Sequence, residues 1–138
     1  MSETTLAEAC FDRLPDHVAV IDRTGQIVLV NQAWRRFGRE NHLEDDDSAL
    51  GLNYLNVCGA AEGHCAGEAR SVERGLRELL AGADRAEQVV YPCFSPDTAR
   101  WFAVKMFPIE TDGDRYIAIV HQNVTQLIMS QAQAGMLG

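Results

Sequence analysis

No apolar run in this sequence approaches the ~18 residues that a membrane-crossing helix needs. The first residues, Met1-Ser2-Glu3-Thr4-Thr5, also lack the basic start of a signal peptide, so a cytoplasmic protein with no membrane partner is expected. Basic residues are scarce: 12 Lys and Arg stand against 20 Asp and Glu, a formal charge of −8. That balance repels phosphate backbones and anionic lipid surfaces, which argues against direct nucleic-acid binding. Paired cysteines are missing too. Cys10, Cys58, Cys65 and Cys93 are 48, 7 and 28 positions apart, with no C-x-x-C pair among them. In a reducing compartment they are expected to be free thiols that serve as small apolar fillers. Cys58, His64 and Cys65 could offer soft ligands, but three donors without a fourth make a poor zinc site, and no metal is expected. The same residues show no nucleophile and base in a catalytic pattern, so no enzymatic activity is expected.

What is present is 46% apolar and 23% charged residues in a chain of 138. That is enough for one domain burying roughly two thirds of its unfolded surface. Leu6, Ala7, Cys10, Phe11 and Leu14 recur at helical spacing behind Thr5 and Glu8, a capping-box pair, which predicts an opening amphipathic helix. Pro15-Asp16 stops it. Two strand-like runs follow, 17–22 and 26–31, joined by Arg23-Thr24-Gly25, whose glycine suits the left-handed position of a hairpin turn. Asn31 can then cap a helix over 32–41 with Ala33, Trp34 and Phe37 on its apolar face.

From 42 to 67 the pattern weakens. An acidic run, 44–47, predicts a solvated loop, and the stretch 51–59 predicts one helical turn between glycines, with Tyr54, Leu55 and Val57 partly buried. Ala69, Val72, Leu76, Leu79 and Leu80 mark a helix of about four turns that ends before Gly82. Three strands complete the pattern, 87–93, 100–109 and 115–124, with turns at Ser95-Pro96-Asp97 and Thr111-Asp112-Gly113-Asp114. Pro92 lies inside the first of these, and proline cannot donate to a ladder, so that strand belongs at a sheet edge. Residues 126–134 predict an outgoing helix.

Three stretches give this order a family likeness. They are Val20-Ile21-Asp22-Arg23-Thr24-Gly25-Gln26-Ile27-Val28-Leu29-Val30-Asn31-Gln32-Ala33-Trp34, then Arg100-Trp101-Phe102, then His121-Gln122-Asn123-Val124-Thr125. Together they resemble the PAS domain, an α+β fold with a five-stranded antiparallel sheet, helices on one face, and N- and C-terminal flanking helices. The resemblance divides the chain into a flanking amphipathic helix at 1–15, the PAS domain at 16–125, and a connector helix at 126–138. Its third strand lies at a sheet edge, in agreement with Pro92. The last stretch is similar to the family's D-I-T exit motif with Asn123 in place of aspartate. Asparagine keeps the acceptor and loses the charge that the family's usual salt bridge requires.

The resemblance implies a sensor or dimerisation module whose behaviour depends on a pocket between sheet and helices. The flavin-photosensing members carry G-x-N-C-R-F-L-Q where this chain has Gly51-Leu52-Asn53-Tyr54-Leu55-Asn56-Val57-Cys58. Tyr54 replaces the reactive cysteine and Leu55 the phosphate-binding arginine, so flavin photochemistry is not expected. Residues 66–82 hold no histidine for haem, which leaves His64 and His121 as the candidate axial ligands of a b-type haem. His17 and His42 are expected to be peripheral. By the family's strand orientation, His121, Ile119 and Ile117 face inward, with Phe102, Val104 and Met106 beside them. Such a wall suits a small, largely apolar ligand, an aromatic or organic acid, with His121 and either Tyr54 or Asn53 as polar contacts. A packed core in which His121 is satisfied by a hydrogen bond is the alternative.

Trp101 and Ala103 then face outward, to be covered by the opening helix. The family likeness implies a parallel homodimer through Leu6, Cys10, Phe11, Leu14 and Trp101. The expected function is a sensory or regulatory module of a bacterial-type signalling protein. Its partner would be an effector such as a histidine kinase, diguanylate cyclase or transcription factor. Ligand-free dimerisation and haem-based gas or redox sensing are the alternatives.

Overall fold

The computed structural model describes residues 4–40, 50–59, 66–94 and 99–137. Helix α1, Leu6–Arg13, begins where the Thr5 hydroxyl accepts from the Glu8 amide at 3.1 Å. It stops ahead of Pro15, as proline geometry requires. Strands β1, His17–Ile21, and β2, Ile27–Val30, form a hairpin closed by the Asp22 carboxylate, which accepts from the Thr24 and Gln26 amides at 2.9 and 3.1 Å. Burial works to raise the Asp22 pKa, but bonds from Thr24, Gln26 and Gly25 outweigh it and hold the carboxyl below its ordinary value. Gly25 sits at φ 90°, where a side chain would also press on Leu55.

Helix α2, Gln32–Glu40, and the short α3, Tyr54–Gly59, lead to α4, Ala66–Leu80. Strands β3, Glu87–Phe94, β4, Ala99–Thr111, and β5, Asp114–Asn123, follow, and α5, Thr125–Leu137, leaves the sheet. The β4–β5 turn has positive φ at both Asp112 (50°) and Gly113 (83°), the primed geometry that matches strand twist. All strand pairs are antiparallel, in the order β2-β1-β5-β4-β3, so β3 with Pro92 is an edge strand. The expected turn at Ser95-Pro96-Asp97, the acidic run 44–47 and His42 lie outside the described residues.

One sheet face carries the core. Ala19 and Ile21 of β1, Val104 and Met106 of β4, and Ile117 and Ile119 of β5 pack against Val72, Leu76 and Leu79 of α4. Burying each such aliphatic side chain is worth roughly 1.5–3 kcal/mol. At Gly75 the helix comes so close that an added Cβ would stand 3.0 Å from Met106 Cε. Arg115 anchors the far end of α4, its guanidinium donating to the carbonyls of Leu79, at 2.9 Å, and Ala83. A cation at a helix C-terminus also meets the negative end of the helix dipole.

Candidate functional site

The inner face of the sheet has two chemically different ends. Toward the β1–β2 hairpin it is aliphatic and shut: Met106, Ile117, Ile119, Leu76 and Leu79 have no exposed surface. Toward the start of β1 it becomes aromatic. Side chains two apart on a strand share a face, so β5 carries the row Ile117, Ile119, His121 from one end to the other, about 13 Å. Tyr54, at the first turn of α3, reaches that row, and its Oη lies 3.0 Å from His121 Nε2. Trp34 of α2 lies against both, its ring centre 5.7 Å from His121 and 6.3 Å from Tyr54. Phe102, one pair further along β4, stacks on Tyr91 of β3 at 5.9 Å. Aromatic residues make up 7% of the chain, and four of them gather here with one imidazole.

His121 is held uncharged at neutral pH. Burial, and then the repulsion of His17 directly opposite it on β1, push its pKa down from 6.5 to about 4. A neutral imidazole offers one donor and one acceptor, as a phenol does, so the Tyr54–His121 contact is a neutral pair able to exchange its bond with a guest. His17, expected to be peripheral, therefore belongs to this site. The sequence pattern missed it because the strand register, His17↔His121, is a pairing between distant segments.

The expected lining residues fall on one face: His121, Ile119, Ile117, Phe102, Val104 and Met106, with Tyr54 above His121. Asn53 does not join them. Its Oδ1 caps α3 at the Leu55 and Asn56 amides, 3.0 and 3.3 Å, and its Nδ2 donates to Thr24 O at 2.9 Å. Asn53 thus clamps α3 to the hairpin at the other end of the sheet, and the expectation of a cavity contact is corrected. Cys10 is exposed on α1 rather than an apolar filler. The side chain of Cys58, and His64 and Cys65 entirely, lie outside the described residues. Among the described residues no group of three His, Cys, Asp or Glu could hold a metal ion. A haem iron on His121 Nε2 would have to displace Tyr54, and Trp34 already covers the imidazole. The described residues therefore do not suit haem.

Two asparagines tie the flanking helices to the sheet. Asn31 is fully buried: its Oδ1 accepts from the Val18 and Trp34 amides at 3.1 and 3.0 Å. Its Nδ2 faces the carbonyls of Phe11, Leu14 and Asp16 at 3.3, 3.4 and 2.9 Å. Beyond the expected helix cap, it therefore fastens the end of α1. At the exit, Asn123 Oδ1 accepts from the Thr125 amide and hydroxyl at 3.1 and 2.7 Å, and Thr125 Oγ1 accepts from the Trp101 amide at 2.9 Å. The junction works with a neutral acceptor. Trp101 is thus held at the start of α5, while Phe11 of α1 and Leu14 just after it border an apolar groove of about 360 Å³ on the outer sheet face with Val18, Val20, Phe107 and Val120.

Among the described residues no helix is long and apolar enough to cross a membrane. In sequence, the chain is 37% identical over 124 residues to an uncharacterised 104.1 kDa protein of Rhodobacter capsulatus, covering 88% of this chain and 13% of that one. The chain therefore spans about an eighth of that relative. In fold it is similar to the PAS domain of BvgS from Bordetella pertussis, with a TM-score of 0.63 at 16% identity and 96% of each chain covered. It is also similar to the VqmA chain of the phage VqmA–DPO complex, with a TM-score of 0.63 at 16% identity, covering 93% of this chain and 56% of that one. Residues 11–127 match the PAS fold family, and with the strand order and the two junctions already described, the chain belongs to the PAS family of sensory and signalling domains.

Proposed function

We propose that this domain is the sensory module of a larger signalling system, and that it binds a small, largely apolar ligand at the aromatic end of its inner face. The observation that carries this reading is the cluster of Trp34, Tyr54 and His121, with Phe102 and Tyr91 alongside, set beside an aliphatic end that is already filled. Specific pockets combine apolar walls with a few placed polar groups, and the phenol–imidazole pair is of that kind. Phage VqmA, a chain of the same fold, forms a complex with DPO.

A route to the flanks accompanies the site. Trp34 supports His121 with its ring while its amide holds Asn31, and Asn31 holds the end of α1. A ligand that shifts Trp34 therefore loads the joint to α1. Output passes to an effector through α1 and α5, in a dimer formed about α1 and the outer sheet face. Leu6, Leu14, Leu29 and Phe107 are exposed there, an apolar surface that a second copy would cover.

Native mass spectrometry of the purified protein tests ligand binding, with a co-purified or added small molecule lost on denaturation as the expected result. A fragment screen by thermal shift without a single stabilising compound would count against it. For the dimer, Phe11→Glu is expected to lower the solution mass, and a mass that does not change argues against association through α1. The second reading, a ligand-free dimerisation module, is favoured by one observation: Tyr54 and His121 already satisfy each other. It predicts a dimer and an empty screen.

A further inference from the structure

The outer face of the sheet is apolar across neighbouring strands. Alternation places Val18 and Val20 of β1, Ala118 and Val120 of β5, and Phe107 and Ile109 of β4 on it, opposite the inner row already described. The groove of about 360 Å³ beside the end of α1 continues through Val20, Leu29 and Ile109 into a second hollow of about 560 Å³ that reaches Tyr116. Leu14, Leu29, Phe107 and Ile109 stand exposed along its rims, so a ridge and a groove of the same chemistry lie side by side on one chain. Such a surface can be its own complement, because in a two-fold contact each copy offers its ridge to the groove of the other.

Two opposite charges on this face determine how the copies can meet. Lys105 is exposed on β4 between Ala103 and Phe107, directly beside Val120 of β5, and Val120 is in turn beside Val18 of β1. Asp16, two residues before Val18, lines the groove from the α1 side. With about 4.8 Å between strands and 3.4 Å per residue, the lysine and the aspartate lie roughly 12 Å apart, with Val120 and Val18 between them. Two neighbouring acids are already engaged, Asp22 by the Thr24 and Gln26 amides and Asp12 by Arg35 at 3.6 Å. A two-fold axis lying in the plane of contact, midway between Lys105 and Asp16, sets each of them against the other residue in the second copy. Both pairs then form together over an apolar floor, where they are less screened than at an open surface. In any other register the lysine would be pressed unpaired against apolar side chains, which is costly.

Building on the dimer reading above, we infer that the partner on the outer face is a second copy of this chain, packed sheet to sheet about a two-fold axis that pairs Lys105 of each copy with Asp16 of the other.

The test is sedimentation equilibrium of the intact chain and its charge variants, each checked for folding by thermal melt. Lys105→Glu and Asp16→Lys should each raise the dimer dissociation constant about tenfold or more, since each disrupts two symmetry-related pairs. The double variant, with the charges exchanged, should return to within about threefold of the native value. Lys105→Gln and Asp16→Asn, which only remove a charge, should weaken the dimer by smaller factors and give the same reading should a reversal harm folding. A dimer indifferent to all four single substitutions, or weakened by both reversals without recovery in the double variant, overturns the inference and leaves the dimer reading standing. A chain that stays monomeric at millimolar concentration overturns both. Nuclear Overhauser contacts from α5 to Phe107 in that monomer would then identify its own helix as the cover of this face.

Discussion

Acidification should destabilise this domain through His121 alone by an amount that can be calculated. An imidazole whose pKa is about 4 when folded and 6.5 when unfolded takes up its proton first in the unfolded chain. Its contribution is therefore complete above pH 6.5 and is lost as pH falls through the window down to about 4. Linkage gives a loss of about 2 kcal/mol between pH 7.5 and 5, and roughly 3 kcal/mol once both states are protonated. Relief of the −8 charge works the other way, so a single profile does not isolate the effect. The comparison is with His121→Gln, which keeps a hydrogen-bonding partner for Tyr54 and cannot titrate. Urea unfolding of both proteins at pH 7.5, 6.5, 5.5 and 5.0 should give curves that diverge as pH falls, the native protein losing about 2 kcal/mol more than the variant by pH 5. Parallel curves would refute the reasoning, as would a His121 ring that titrates near 6.5 in the folded protein by NMR.

Asn31→Ala should cost about 3 kcal/mol or more, because it strips partners from Val18, Trp34 and the end of α1, and hydrogen exchange should show α1 opening ahead of the sheet. Gly75→Val is expected to lose about 1–3 kcal/mol in urea unfolding by forcing α4 off Met106, whereas the exposed Gly113, with nothing near its missing Cβ, should show no such packing cost. Asn53→Ala should cost about 1 kcal/mol through the lost α3 cap while leaving ligand affinity unchanged by calorimetry. Asn123→Ala should likewise cost about 1 kcal/mol and leave the first turn of α5 less protected from exchange.

The elements most legible in the sequence were those whose signal is local. The spacing of Val72, Leu76 and Leu79 announces α4, because each turn repeats the same face. Pro92 announces an edge strand because the missing donor is a property of one residue. The inward row of β5 follows from alternation once one member is placed, and Ile117, Ile119 and His121 share the expected face. What remained hidden depends on pairing between distant segments. His17 meets His121 only because β1 lies beside β5, and nothing within either strand marks the other. Asn53 and Tyr54 are adjacent in the chain and equally polar in pattern, yet they serve opposite ends of the sheet. The amide of Asn53 turns back to a carbonyl 29 residues earlier, while the phenol of Tyr54 extends to a histidine 67 residues later. A side chain as short as asparagine caps its own helix and anchors what lies beside it, whereas tyrosine carries its polar atom far enough to reach the sheet. Side-chain reach, added to the strand order, separates the residue that builds this site from the one that belongs to it.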